Sequence, residues 1–398
     1  MTLCARKSSR PALSLHLPLF LQALEKAGLL VTILEPKDFA WVSFAAFRAS
    51  SAADGESWSK RMTVPLTRVL KRGRVVRGSA TGVDTARKVV LYTPHGESAA
   101  AELPYDYLVV ATGATFAAPF NPRSNDAVAA RAALAALRAT VSASSRVVVV
   151  GGGPSGIELA GEIRDAVPKA AITIVHSGKT LLSGAGNVSP PAALSDKLVE
   201  RLTANKITTR LATRVASVTG GAPHAAMGES VVTGPLSVVL ESGEAIEADL
   251  LIYAIGAKPN TAWLSASPLS AALSKSGHVN IERSYAVPGF PGVFALGDAA
   301  AGLDAKAAWL LPNAGAIVAK NINALARAKE GQTPKLTLGP ETGFRGILAV
   351  PIGKKDGAGL LPFGVVGPFL IRNIKGGDLF VTKVSKDWGY STKELLQQ

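Results

Sequence analysis

The sequence predicts an α/β protein with parallel sheets buried on both faces, and three observations carry that prediction. Arg146 to Ala160 reads RVVVVGGGPSGIELA, four consecutive valines running into a glycine-rich turn and a helical pattern. An unbroken apolar run of this kind suits a strand covered on both faces, because a half-exposed strand alternates. Ala171 to Val175 (AITIV) follows, so strand, helix and strand stand in β-α-β order. Three further apolar runs end in an acid or a glycine turn: LLVTILEPKD (Leu29 to Asp38), YLVVATGAT (Tyr107 to Thr115) and GVFALGDA (Gly292 to Ala299). At about 150 residues per domain, 398 residues allow two to three domains.

Within the first run, Gly151, Gly153 and Gly156 stand at G-x-G-x-x-G spacing. The three glycines serve a tight turn, close approach of backbone to a pyrophosphate, and close packing of helix on strand. The spacing predicts a helix from Pro154 to Val167 whose amino terminus aims free N–H groups at phosphates. About 20 residues on, an acid would accept the ribose hydroxyls of NAD. Here the strand ends in His176, followed by Ser177 and Lys179, which favours NADPH or tolerance of both cofactors. The alternative is that His176 is only a surface histidine at a strand end. Gly178-Lys179-Thr180 is no P-loop, since the glycine needed five residues earlier is Thr173. Gly153-Pro154-Ser155-Gly156 lacks the spacing of a nucleophile elbow.

Composition narrows the chemistry. Apolar residues make up 47% and charged residues 18%, which suits a core-forming chain. Cys4 is the single cysteine, so this chain holds no redox dithiol, iron–sulfur cluster or cysteine-built zinc site, and no metal is expected. The net charge is +14, and Lys60 to Arg77 carries seven cations without an acid. No zinc-finger, basic-zipper or RNA-recognition motif accompanies them, so nucleic acid is not an expected partner and a solvated face is. Met1 to Leu24 has the basic, acid-free composition of a transit peptide. The preferred reading is a helix over Pro18 to Gly28 feeding the strand that ends in Glu35. No run of about 18 apolar residues predicts a spanning helix, and Thr2 excludes N-myristoylation.

With these segments in place, the chain resembles the two-dinucleotide-domain flavoprotein reductases of the pyridine nucleotide-disulfide oxidoreductase superfamily. More narrowly it resembles the ferroptosis-suppressor type of apoptosis-inducing-factor-like FAD-dependent NAD(P)H oxidoreductase. That narrower match rests on Lys37-Asp38 followed by AAFRAS (Ala45 to Ser50), IVHS (Ile174 to Ser177), IGKKDGAG (Ile352 to Gly359) and KGGDLFV (Lys375 to Val381). The resemblance implies two Rossmann-like dinucleotide-binding domains of three-layer ββα build, the NAD(P)H domain inserted in the FAD domain, plus a small C-terminal α+β segment. The corresponding boundaries are 1–140 for the first part of the FAD domain, 141–260 for the NAD(P)H domain, 261–332 for completion of the FAD domain and 333–398 for the C-terminal segment. Thr213 to Ala248, with a Gly220-Gly221-Ala222-Pro223 turn, would be the hairpin section of the inserted domain.

Residue roles follow from the same resemblance. Glu35 would bind the adenosine ribose of FAD, Arg48 would contact the FAD, and Ala80 would touch its adenine end by backbone. Thr112 and Gly113 in the ATG turn would close over it, Asp298 would face the ribityl chain or pyrophosphate, and Lys306 would lie near the isoalloxazine. Gly151, Gly153, Gly156 and His176 would hold NADPH or NADH. Glu158 would face the nicotinamide, and Lys375 and Phe380 would lie near the quinone-reducing face. The implied reaction passes a hydride from NAD(P)H to flavin and then electrons to a quinone-type acceptor. A cytoplasmic location peripheral to membranes is expected, with a mitochondrial one as alternative. Gly357 to Leu370 reads as a membrane contact, an apolar pocket, or two short strands with turns. The sequence departs from the family pattern twice. No G-x-G-x-x-G occurs before Gly151, which leaves a misassigned first exon, a natural truncation or a degenerate FAD site. Pro312 falls inside the helical stretch Lys306 to Leu325, where it should kink or interrupt the helix. The alternative function is an NAD(P)H-binding, FAD-deficient protein without catalysis.

Overall fold

The valine run Arg146–Val150 becomes the centre of a six-stranded sheet. Ala171–Val175 lies parallel on one side and Ala245–Tyr253 parallel on the other. Ile207–Arg210 extends the first flank, and Gly228–Leu240 and Val215–His224 extend the second as an antiparallel meander. Val147 and Val149 pack with Ile157 and Leu159 of the helix Pro154–Ala166. Val148 and Val150 pack on the opposite face with Leu236, Val238 and Leu240 of the meander. The layers are therefore helix, parallel sheet and antiparallel ribbon. The computed structural model describes residues 2–6, 17–183, 190–301, 311–340 and 347–398.

The meander corrects one expectation. Gly220 and Gly221 (φ +74° and +66°) sit inside a strand, where the register slips as a bulge. The reversal comes later, with Met227 N–H donating to the His224 carbonyl at 3.0 Å.

A seven-stranded sheet takes the order Val293–Ala295, Tyr107–Val110, Thr2–Arg6, Leu30–Glu35, Arg74–Asp84, Val89–Pro94, Ala101–Pro104. Tyr107–Val110 pairs parallel with Val293–Ala295, and Leu30–Glu35 pairs parallel with Arg74–Asp84. Between these two parallel pairs, Thr2–Arg6 runs antiparallel to both neighbours, with Thr2 opposite Leu34 and Val110. The helix Leu17–Lys26 ends as expected at Gly28 (φ +84°), where the N–H groups of Gly28 and Leu29 reach back to the carbonyls of Glu25 and Leu24. Its Phe20, Leu21 and Leu24 pack on Ala314, Val318 and Ile322 of Leu311–Arg327. Pro312 lies in the first described turn of that helix, which runs from Leu311 to Arg327; the turn before it, where a kink or interruption would fall, lies outside the described residues. Lys306 lies outside the described residues.

Leu348–Ile352, Asp356–Leu361 and Gly364–Val366 form a three-stranded antiparallel sheet, the strand-and-turn reading of the Gly357 to Leu370 stretch. It sits directly on the helix Pro154–Ala166: a Cβ on Gly161 would stand 2.4 Å from the Gly353 nitrogen. Among the described residues, no helix is long and apolar enough to cross a membrane.

The basic run Lys60 to Arg77 is more than a solvated face. Arg61 donates to Asp378 at 2.5 Å and stacks on Trp58, and Arg68 donates to Glu394 at 2.6 Å over the Tyr390 ring. Glu25, 3% exposed, accepts the backbone N–H groups of Lys71, Arg72 and Gly73 at 2.6–2.9 Å. Part of this stretch is thereby folded onto acids far away in sequence.

Candidate functional site

The glycine turn after Val150 explains its own composition. Gly151 adopts φ +127°, a backbone state that side chains rarely take. A Cβ on Gly156 would meet the Gly151 carbonyl oxygen at 1.9 Å, so only glycine lets the helix begin this close to the turn. Gly153 is different: a Cβ there would meet nothing within 4 Å. The space it leaves open lies at the amino terminus of Pro154–Ala166, where N–H groups without helical partners face outward. An orphaned donor set beside an open cradle suits a pyrophosphate.

His176 supports this turn from behind. It is 9% exposed; its Nδ1 accepts the Gly152 N–H at 3.2 Å, and its Nε2 lies 2.9 Å from the Ser183 hydroxyl. The hydroxyl in turn donates to the Thr180 carbonyl at 2.7 Å, which leaves Nε2 as the donor of the pair. Burial pushes the His176 pKa down, against a weaker opposing hydrogen bond from Thr180. A neutral, inward-facing imidazole offers no charge to a ribose phosphate, so neither the expected cofactor contact nor the surface-histidine alternative describes it. Ser177 and Lys179, beside it, are the groups left facing outward: both are exposed at the same strand end.

A second edge collects the other expected cofactor residues. The registers Thr2–Leu34, Thr2–Val110 and Val110–Ala295 put the ends of three strands level. Glu35, the ATG turn and the Gly297–Ala299 turn holding Asp298 follow directly at that edge. Glu35 is 8% exposed and bonds Lys37 through its Nζ at 2.6 Å. Burial acts to raise its pKa, and nearby positive charge, Lys37 included, outweighs it and holds the carboxyl below its ordinary value. The Thr112 hydroxyl is buried with no hydrogen-bond partner among the described residues, an unmet polar group of the kind a ligand satisfies. Gly113 has φ +67° and open space where a Cβ would point. Ala80 lies partly buried over the core beside Tyr92. These features fit FAD; the central strand does not contribute, because it runs the other way. Sequence reasoning missed Asn260, which clasps the ATG turn from the far side through the Thr112 and Gly113 carbonyls.

The third group joins helix to C-terminal segment. Glu158, one turn into Pro154–Ala166 and 4% exposed, accepts Lys375 Nζ at 2.6 Å. Lys375 Nζ also stands 5.5 Å above the Phe44 ring, and Phe380 meets Phe44 edge-on at 6.2 Å. Phe380 is 39% exposed, so the buried ion pair lies close behind an aromatic rim. Burial pushes the Glu158 carboxyl up and Lys375 opposes that, with the net value raised. One helical turn on, Glu162 (3% exposed) is also raised, by burial first, against Arg48.

Arg48 corrects the expected FAD contact. It is 0% exposed, its Nε and Nη2 donate to Glu162 at 2.8 and 2.6 Å, and its two Nη atoms reach the Gly377 and Gly376 carbonyls at 2.9 and 2.7 Å. A guanidinium buried this fully is tolerated because its donors are paired, and here the protein itself pairs them. Glu162 went unread in the sequence, although an acid spaced i,i+4 from Glu158 on an apolar helix was a visible signal.

Comparison with known proteins identifies the family. The family model described as pyridine nucleotide-disulphide oxidoreductase matches residues 22–325. The Dictyostelium discoideum protein apoptosis-inducing factor homolog B is 28% identical over 369 residues, covering 89% of both chains. Ferroptosis suppressor protein 1 of Homo sapiens is 28% identical over 368 residues, covering 91% of this chain and 89% of that protein. The structure of NDH2 from Plasmodium falciparum in complex with NADH superposes with a TM-score of 0.58 at 15% identity, covering 92% of this chain and 91% of the other; this likeness shows the fold alone. Other solved chains of the fold are longer, and this chain spans 58% to 63% of them. The chain belongs to the pyridine nucleotide-disulphide oxidoreductase family, as an apoptosis-inducing-factor-like, FAD-dependent NAD(P)H oxidoreductase with two Rossmann-like domains.

Proposed function

We propose that this oxidoreductase delivers its electrons to a quinone-type acceptor. The observation that carries the reading is the buried Glu158–Lys375 pair, 2.6 Å apart, one turn beyond the nucleotide loop and behind the exposed edge of Phe380. FAD held at the edge of Glu35, Thr112 and Gly113 would supply the hydride-accepting and electron-passing chemistry. NAD(P)H brings one hydrogen with the electron pair as hydride, so forming the hydroquinone consumes one further proton, and the chain's residues serve that demand. Lys375 holds a proton on Nζ beside the aromatic rim. Glu158, raised by burial, accepts that Nζ hydrogen bond and takes part in refilling it. Phe44 and Phe380 exclude water and present flat apolar surface to a quinone ring. With Cys4 its single cysteine, the chain offers no dithiol to relay electrons to a disulfide substrate.

The test follows NADH and NADPH oxidation with a soluble ubiquinone analogue. The protein should be yellow, absorbing near ~450 nm as FAD does, and Lys375→Met and Glu158→Gln should each lose most of the quinone-dependent rate. Unchanged rates in both would end this reading. The alternative of NAD(P)H binding without FAD does not stand beside membership of an FAD-dependent family.

A peripheral lipid contact fits the same proposal. Phe363 (75% exposed) and Phe369 (66% exposed) lie in the C-terminal segment, with Arg372 stacked on Phe369.

A further inference from the structure

One face of the helix Pro154–Ala166 is given over to the C-terminal segment. Glu158, Gly161, Glu162 and Asp165 recur at i, i+3, i+4 and i+7 and so share that face. Glu158 bonds Lys375, Gly161 touches Gly353, and Asp165 accepts the Lys354 N–H at 2.7 Å. Glu162 reaches the segment through an intermediary: Arg48, whose remaining donors end on the carbonyls of Gly376 and Gly377, the two residues after Lys375. Trp58 stacks on the Arg48 guanidinium at 4.8 Å and on Arg61 at 4.5 Å, and Arg61 holds Asp378. Two arginines around one indole thus fasten residues 376–378. Directly after them, Leu379 and Phe380 both take left-handed backbone (φ +48° and +54°). Such conformations cost free energy in non-glycine residues and persist where surrounding contacts impose them.

We infer that Arg48 is a positioning residue for Lys375: by clamping the Gly376 and Gly377 carbonyls to Glu162, it fixes Lys375 Nζ on Glu158 and turns Phe380 onto Phe44. This inference rests on the proposed role of the Glu158–Lys375 pair in the reaction, and its geometric half stands without it. Lysine cannot replace Arg48 here, because a point charge lacks the fork that serves a carboxylate and two carbonyls together.

The experiment compares Arg48→Lys, alone and combined with Lys375→Met, by two readouts. The first needs no flavin: acetylation of Lys375 by acetic anhydride, read by mass spectrometry on the full chain. Arg48→Lys should speed labelling of Lys375 about fivefold or more, since loss of the paired geometry frees the amine. The exposed Lys329, far from the clamp in sequence, is the control and should label at an unchanged rate. The second readout is quinone-dependent kcat. Arg48→Lys should lower it about tenfold or more, with KM for NAD(P)H held within about twofold, because a small displacement of a reacting group is costly. In the Lys375→Met background the same change should lower kcat less than about twofold, the mark of a residue acting through another. Unchanged labelling of Lys375 overturns the inference, and so does an equal loss of kcat in both backgrounds, which is what a merely structural residue gives. If Lys375→Met alone leaves kcat intact, the proposed reaction falls and the labelling still decides the clamp. Should Arg48→Lys fail to fold, Glu162→Gln carries the same test, with labelling of Lys375 again expected to rise.

Discussion

The two sheets put the same slot to different use. In the six-stranded sheet, Arg146–Val150 runs parallel to both neighbours and delivers its glycine turn to the edge where the helix Pro154–Ala166 begins. In the seven-stranded sheet, Thr2–Arg6 occupies the matching central place but runs backwards, so its end points away from the edge that holds Glu35, Thr112 and Asp298. A dinucleotide site is therefore made of separable parts. One half is the centre strand with its turn and helix; the other is the set of turns after the flanking strands. Among the described residues, the seven-stranded sheet shows the flanking turns and no glycine turn at its centre.

The largest effects should come from the complete loop. Gly156→Ala forces a Cβ against the Gly151 carbonyl and should cost about 1–3 kcal/mol of stability along with nucleotide binding. Gly153→Ala fills only open space, so stability should stay within about 0.5 kcal/mol while NAD(P)H affinity falls about tenfold. Denaturant melts and calorimetric titration of the two variants separate these outcomes; equal loss of stability in both would undo the distinction between a packing glycine and a ligand glycine.

A middling effect is expected at the other edge. Thr112→Val removes a buried hydroxyl that has no partner among the described residues, so the flavin-free chain should gain about 1 kcal/mol. Flavin content after purification should fall. A gain in stability with flavin content unchanged would mean that the hydroxyl does not face the cofactor.

The pH dependence of the loop follows from His176. Its pKa is lowered in the folded chain by burial, so the unfolded chain binds the proton more readily. The stability it contributes is present above the unfolded value, about 6.5, and is lost as the pH falls from there toward the lower folded value. Thermal midpoints measured from about pH 7.5 down to about pH 5 should decline for the parent chain and decline less for His176→Gln.

The smallest effect concerns the surface. Phe363→Ser with Phe369→Ser should reduce co-sedimentation with anionic vesicles severalfold and leave soluble-quinone turnover unchanged. Identical sedimentation of both proteins would remove the lipid contact.

What was legible in the sequence was local. Four valines before a glycine turn, a helix closed by Gly28, and acids or glycines at strand ends all declare themselves within a short window of chain. What was not legible depends on distant partners. Arg48 and Glu162 lie 114 residues apart, and the Arg48 clamp on Gly376 spans 328. The direction of Thr2–Arg6 is set by its neighbours, because so short a strand carries no sign of its polarity. Gly220-Gly221 misled for a related reason: the same backbone freedom serves a turn or a bulge, and only the register of the opposing strand decides.

The pairing of Arg61 with Asp378 and Arg68 with Glu394 has a consequence for how the molecule behaves toward polyanions. Asp378 and Glu394 neutralise two cations of the basic run, while the stretch from Asp378 to Gln398 is itself balanced, with three acids and three lysines. Proteolytic trimming ahead of Asp378 would free Arg61 and Arg68 from their partners and remove the Tyr390 ring. It would also take three lysines away with three acids, so the attraction for an acidic polymer would rise at that one spot and not over the whole surface.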